Sequence, residues 1–222
     1  MLLPTSSVGR KLMMAVTGQT MVLFALGHVA GNSTVYFNKL NAYAAGLHAL
    51  PFLVWTVRLA MLVIVSLHIY YAVVLKLENY SARPEPYQKK KELESTFSGR
   101  NMVWTGAIIG TFLVYHLMHF TFQVIDPATA ARTHLDSAGR PDVFLMVARS
   151  FQRTGIVAGY LFAVTALWLH LTHGIQSSFQ TFGLNGERSF PYIRKGGSLA
   201  AIALLAAYAS IPLAIFAGFL LR

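Results

Sequence analysis

Apolar residues in this chain neither alternate nor keep to one helical stripe. They gather in five long blocks separated by short polar segments, at about 12–32, 52–75, 102–125, 154–178 and 198–221. Crossing a bilayer core takes about 20 helical residues, and each block reaches that length. Within the blocks the only charged side chain is Arg58, near the start of the second, where its long stem can carry the guanidinium to the interface. The pattern predicts an all-α protein: one integral membrane domain over residues 1–222 with five transmembrane helices. The first block follows Arg10 and Lys11 as a signal peptide would. It is longer than such a segment, though, and contains Gln19 and His28, so it reads as a retained helix.

Composition agrees with this reading. Of 222 residues, 55% are apolar and 12% charged, too little charge for a water-soluble surface. The net charge of +10 sits in the segments between blocks, so it reports topology rather than a nucleic-acid-binding face. Five crossings put the termini on opposite sides. The N-terminal side holds eleven Lys and Arg, including the Lys89-Lys90-Lys91 run, and the other side holds seven. The positive-inside bias therefore predicts a cytoplasmic N-terminus and an outer C-terminus. The longer outer connection, 126–153, is expected to hold a short helix at 142–151. No nucleotide-binding, nucleophile-elbow or zinc-protease motif occurs in the chain. With no cysteine, disulfides, thiolate zinc, iron–sulfur ligation by this chain and thiolate-ligated haem are excluded, so any metal must depend on the eight histidines.

Six of those histidines lie in or near the blocks: His28, His68, His116, His119, His170 and His173. An ionisable residue inside a membrane is costly and usually functional, although any single one can serve as a neutral interhelical hydrogen-bonder. Helical rise sets their depth. Measured from the cytoplasmic ends, His28 lies about 24 Å up and His116 about 21 Å, while His68 and His170 each lie about 12 Å up. The four sort into an outer pair, His28 with His116, and an inner pair, His68 with His170. Facing neutral imidazoles from different helices are what bis-histidine haem ligation requires, so the pattern predicts two stacked b-type haems. Depth alone leaves His119 open as an alternative to His116, and His173 less well as an alternative to His170. Thr17-Gly18 and Thr105-Gly106 recur with each glycine ten residues before an outer histidine. This reads as support for the outer pair, with ordinary small-residue packing as the other explanation.

Taken in order, several stretches resemble the membrane cytochrome b subunit of succinate:quinone oxidoreductases, in the five-helix, two-haem form of bacterial succinate dehydrogenases and fumarate reductases. They are Ser7-Val8-Gly9-Arg10-Lys11, Leu26-Gly27-His28-Val29-Ala30-Gly31-Asn32, Ser66-Leu67-His68-Ile69-Tyr70, Trp104-Thr105-Gly106 through Tyr115-His116, and Leu169-His170-Leu171-Thr172-His173-Gly174 through Phe182-Gly183. The resemblance spans nearly the whole chain. It implies axial ligation by His28, His68, His116 and His170, in preference to His119 and His173. It further implies partner flavoprotein and iron–sulfur subunits carrying the FAD and clusters, a quinone substrate (menaquinone by analogy, near the outer haem) and a bacterial plasma membrane. This subunit would pass electrons to or from quinone without itself acting on succinate. Haem propionates need cationic or hydrogen-bonding partners. Lys76 or Arg100 inside and Arg58 or Arg153 outside are the candidates, and interfacial snorkelling accounts for each equally well. One departure is plain: some relatives in that family carry a glutamate two residues before the fourth-helix ligand, where this chain has Trp168. Other readings are the cytochrome b subunit of a formate dehydrogenase or hydrogenase, a histidine-relay transporter, or a haem-free anchor.

Overall fold

The structure is a computed structural model that describes residues 6–82 and 96–220. Most of the loop after the second apolar block, with the Lys89-Lys90-Lys91 run, lies outside the described residues. Those residues form eight α-helices and no strand: α1 (Ser7–Asn32), α2 (Leu40–His48), α3 (Pro51–Ser81), α4 (Phe97–Arg100), α5 (Met102–His116), α6 (Val143–Phe151), α7 (Thr154–Thr181) and α8 (Phe190–Phe216). Of these, α1, α3, α5 with the turn that follows it, α7 and α8 are long and apolar enough to cross a membrane, giving an all-α membrane bundle. Helix is the only form that such segments can take one at a time, because lipid offers no partner for an unpaired backbone N–H or C=O.

Local chemistry sets the helix ends. Ser6 caps α1 by accepting from the Gly9 N–H at 3.0 Å. Pro51 occupies the first turn of α3, where its missing N–H costs nothing. Asp142 caps α6 by accepting from the Leu145 N–H at 2.9 Å, and this is the short outer helix expected near 142–151. The last crossing differs from expectation: α8 begins at Phe190 rather than near 198, because the helix continues through Arg194 and Lys195 into the polar zone beyond its apolar stretch. It ends at Phe216, and Gly218 just beyond adopts φ +81°. The third crossing also changes character. Its α-helix stops at His116 and continues as a wider π turn, Leu117–Thr121.

Helix α7 is central and packs on α8, α5 and α1, while α3 packs mainly along α1. At the α7–α8 contact a side chain on Gly197 would lie 3.1 Å from Ile175 Cγ2, so glycine there permits the close approach. No residue of the most apolar stretch of α3 is fully buried among the described residues, which leaves much of its surface to lipid or to a partner. At the end where α1 begins, Arg10 and Glu78 form an ion pair joining α1 to α3. At the opposite end α2 and α6 pack against each other. Asn41 clamps them together: its amide oxygen accepts from the Phe144 N–H at 2.8 Å, and its amide nitrogen donates to Asp142 at 2.9 Å and Asp136 at 3.3 Å.

Candidate functional site

Four helices each present one histidine to the interior of the bundle, and the side chains meet in two pairs. His68 of α3 and His170 of α7 have ring centres 6.5 Å apart with planes at 61°, at the level nearer the start of α1, termed inner below. His28 of α1 and His116 of α5 have ring centres 5.9 Å apart at 84°, at the outer level. A metal held between two imidazoles needs two bonds of about 2.0–2.1 Å plus about 1.1 Å from each nitrogen to its ring centre, or ring centres about 6.3 Å apart. Both pairs are close to that spacing.

The inner pair is built almost symmetrically. Thr17 Oγ1 donates to the Met13 carbonyl at 2.7 Å and lies 3.0 Å from His68 Nδ1. Thr105 Oγ1 donates to the Asn101 carbonyl at 3.0 Å and lies 3.1 Å from His170 Nδ1. A hydroxyl has one proton, and here the backbone takes it, so toward each imidazole the threonine oxygen accepts. The proton of each neutral ring is thereby held on Nδ1, which leaves the Nε2 lone pair available. Among the described residues no hydrogen-bond partner is found for Nε2 of His170, and the Met14 carbonyl is a further backbone acceptor at the His68 ring. Metal-bound histidines generally have this arrangement, with the second nitrogen anchored by an acceptor. Both threonines are buried, at 4% exposure, so water does not compete for the bond.

The neighbouring glycines belong to the same level. A side chain on Gly18 would meet His68 Cε1 at 3.3 Å, and one on Gly106 would meet His170 Cε1 at 3.5 Å. The repeated Thr-Gly pair thus serves the inner histidines, whereas the sequence reading attached it to the outer pair. Each threonine lies eleven residues, about 16 Å of helical rise, before the outer histidine of its own helix.

The outer pair is less symmetric. His116 Nδ1 lies 3.3 Å from the Tyr160 hydroxyl. His119 Nδ1 lies 3.0 Å from the same hydroxyl, and its Nε2 lies 3.2 Å from Ser150 Oγ. His119 therefore has both ring nitrogens engaged and is buried at 3% exposure. His173 sits at the inner end against Gly99, where a side chain would come within 3.0 Å of its ring. His28 Nε2 lies 3.2 Å from the amide nitrogen of Asn32, and the ring stacks on Phe24. Ligation through that nitrogen requires the Asn32 amide to turn aside. Among the described residues, histidine, cysteine and acidic side chains nowhere gather in threes as a metal-binding group. Axial haem ligation asks the protein for two ligands per iron, which is how these histidines meet.

The cationic candidates are dispersed. Arg58 lies over Trp55, 5.3 Å from the ring centre, and Arg153 pairs with Asp126 at 2.7 Å. Lys76 is exposed on the inner part of α3, and Arg100 is the last residue of α4. Sequence reasoning missed Tyr160, Ser150 and Asn32, which contact the outer histidines. It also missed Gln123, just after the π turn, which has φ +55° and a buried amide oxygen with no hydrogen-bond partner among the described residues.

Neither models of protein families, nor curated protein sequences, nor solved structures match this chain.

Proposed function

We propose that this chain is the dihaem cytochrome b membrane anchor of a succinate dehydrogenase or fumarate reductase complex. The carrying observation is the pair of imidazole couples at two levels, spaced for bis-histidine ligation, with the inner couple held in the ligating tautomer by buried threonines. His68 and His170 would hold one haem b, and His28 and His116 the other. Bound there, the haems would supply one-electron transfer between an iron–sulfur partner and membrane quinone. The chain's own residues do the rest. Thr17 and Thr105 orient the inner ligands, Gly18 and Gly106 leave room beside those rings, and the apolar helices keep water away.

The charge bias supports an N-terminus on the cytoplasmic side of a bacterial plasma membrane, with the flavoprotein and iron–sulfur subunits docked on that side. Lys76 and Arg100 would then serve propionates of the inner haem, and Arg58 and Arg153 those of the outer. Quinone, menaquinone by the resemblance, belongs at the outer level. The Gln123 amide oxygen there, without a partner among the described residues, suits a hydroxyl of the reduced quinol.

The test is a dithionite-reduced minus oxidised spectrum of the complex purified in mild detergent, with haem quantified per polypeptide as pyridine haemochrome. Two b-type haems per chain are expected, together with co-purifying flavoprotein and iron–sulfur subunits. No haem would refute the reading. Two haems with a molybdenum- or nickel-containing partner would move the chain to a formate dehydrogenase or hydrogenase.

A further inference from the structure

His116 is joined to a hydrogen-bonded chain that has no counterpart at the inner level among the described residues. It starts at Ser150, 1% exposed, whose hydroxyl donates to the Met146 carbonyl at 2.8 Å. With its proton committed, the Ser150 oxygen accepts from His119 Nε2–H at 3.2 Å. A neutral imidazole has one N–H, so His119 Nδ1 is an acceptor and takes the Tyr160 phenolic proton at 3.0 Å. A phenol also has one proton. Toward His116 Nδ1, at 3.3 Å, the Tyr160 oxygen accepts. His116 is thereby protonated at Nδ1 and keeps its Nε2 lone pair. Each link dictates the next, and the direction originates at a backbone carbonyl on α6.

The surroundings leave the chain few alternatives. Phe120 stacks on His119 with ring centres 4.1 Å apart, and Phe112 and Phe151 stand edge-on to Tyr160 at 4.9 and 5.0 Å. No charged side chain hydrogen-bonds a member of the chain among the described residues. The π turn begins at Leu117, between the two histidines that share the tyrosine. Insertions of this kind often mark functional positions in helices.

We infer that Tyr160, backed by His119 and Ser150, is a positioning residue for His116 that sets its tautomer and its electron-donating strength, and so tunes the outer centre independently of the inner one. The inference rests on the dihaem reading. An acceptor at Nδ1 raises the basicity of a metal-bound imidazole and favours the oxidised metal. Removing it favours the reduced form. At the inner level two threonines act on two ligands, whereas at the outer level the polar chain acts on one, so each level is adjusted through different residues.

The experiment is a redox titration of the whole complex, followed optically. The outer centre is assigned as the component lost in His28→Leu. In the wild type two b-type components must be resolved before any variant is read; if none appears, the dihaem reading itself fails and the inference falls with it. In Tyr160→Phe the outer component should shift toward the reduced form by on the order of ten-fold at fixed poise, the scale of such outer-shell effects on metal sites. That corresponds to about 59 mV for a one-electron couple. The inner component should stay in place and haem content should remain at two. His119→Leu should move the outer component in the same direction, while His119→Gln, which retains both a donor and an acceptor, should restore it. Unchanged potentials in Tyr160→Phe and His119→Leu with both haems present would overturn the inference, as would equal shifts of both components. Should Tyr160→Phe not accumulate, the contrast between His119→Leu and His119→Gln decides by the same criteria.

Discussion

Replacing Thr17 with valine isolates one bond at the inner level. Valine keeps the branched shape and removes only the oxygen, which is 3.0 Å from His68 Nδ1 in a position with 4% exposure. The His68 N–H then loses its hydroxyl acceptor, with the Met14 carbonyl the polar group remaining beside the ring. A fully orphaned buried donor costs about 1–3 kcal/mol, which is the upper bound here. The lost bond to the Met13 carbonyl adds little, since such back-bonds hardly stabilise a helix. At about 1.4 kcal/mol per factor of ten, an inner haem bound as proposed should be held less tightly by up to roughly 150-fold. Thr105→Val should do the same through His170, because its bond is of nearly equal length at 3.1 Å. Thr17→Ser, which keeps the hydroxyl, should behave like the wild type. The assay is haem retention during transfer to excess apomyoglobin, with the two components followed by their difference spectra. Thr17→Val must release the inner component first. Retention indistinguishable from wild type, or preferential loss of the outer component, would refute the reasoning.

Three further outcomes follow from local geometry. Gly18→Ala brings a methyl group to 3.3 Å from His68 Cε1, against 3.5 Å for Gly106→Ala and His170. The former should therefore disturb the electron paramagnetic resonance of the inner centre more; an equal or reversed order contradicts the packing described. Gly31→Ala places a methyl group against the ring of Tyr43 from α2, an overpacking that should destabilise the solubilised complex by about 1–3 kcal/mol. A thermal melt unchanged from wild type would show that α2 simply yields. In the outer loop, the Arg140 side chain and then the Arg140 and Ala138 backbone N–H groups hold the Asp136 carboxyl at about 2, below its ordinary 3.8. Because the folded form binds the proton less readily than the unfolded one, the stabilisation is complete above pH 3.8 and is lost as pH falls through about 2. The difference in melting temperature between wild type and Asp136→Asn should accordingly be present at neutral pH and fade across that acid window. A difference independent of pH would assign it to packing.

How far the sequence could be read depended on whether a feature was set along a helix or around it. The Thr-Gly repeat shows the limit. Ten or eleven residues of helix rise about 15–16 Å, so these residues lie a full level below the histidines whose spacing drew attention to them. They serve the inner rings of neighbouring helices. His116 and His119 show the same limit around the axis. Three residues apart, they could not be separated by depth, and the resemblance chose between them. In the folded chain Tyr160 and Ser150 engage both nitrogens of His119, whereas among the described residues only one nitrogen of His116 is engaged.

By itself, then, the sequence determined the five crossings, their alternating direction and the assignment of four histidines to two depths. Each follows from apolar length and a constant rise per residue, which are properties of a segment alone. Tertiary structure decided which helices are neighbours, which way each ring faces and which polar group meets each ring nitrogen. Those choices depend on helix rotation and on contacts such as Thr17 with His68 or Tyr160 with His116, which join residues far apart in the chain. In a membrane such pairings arise from close packing and from the need to satisfy buried polar groups, and neither is expressed within any single apolar block.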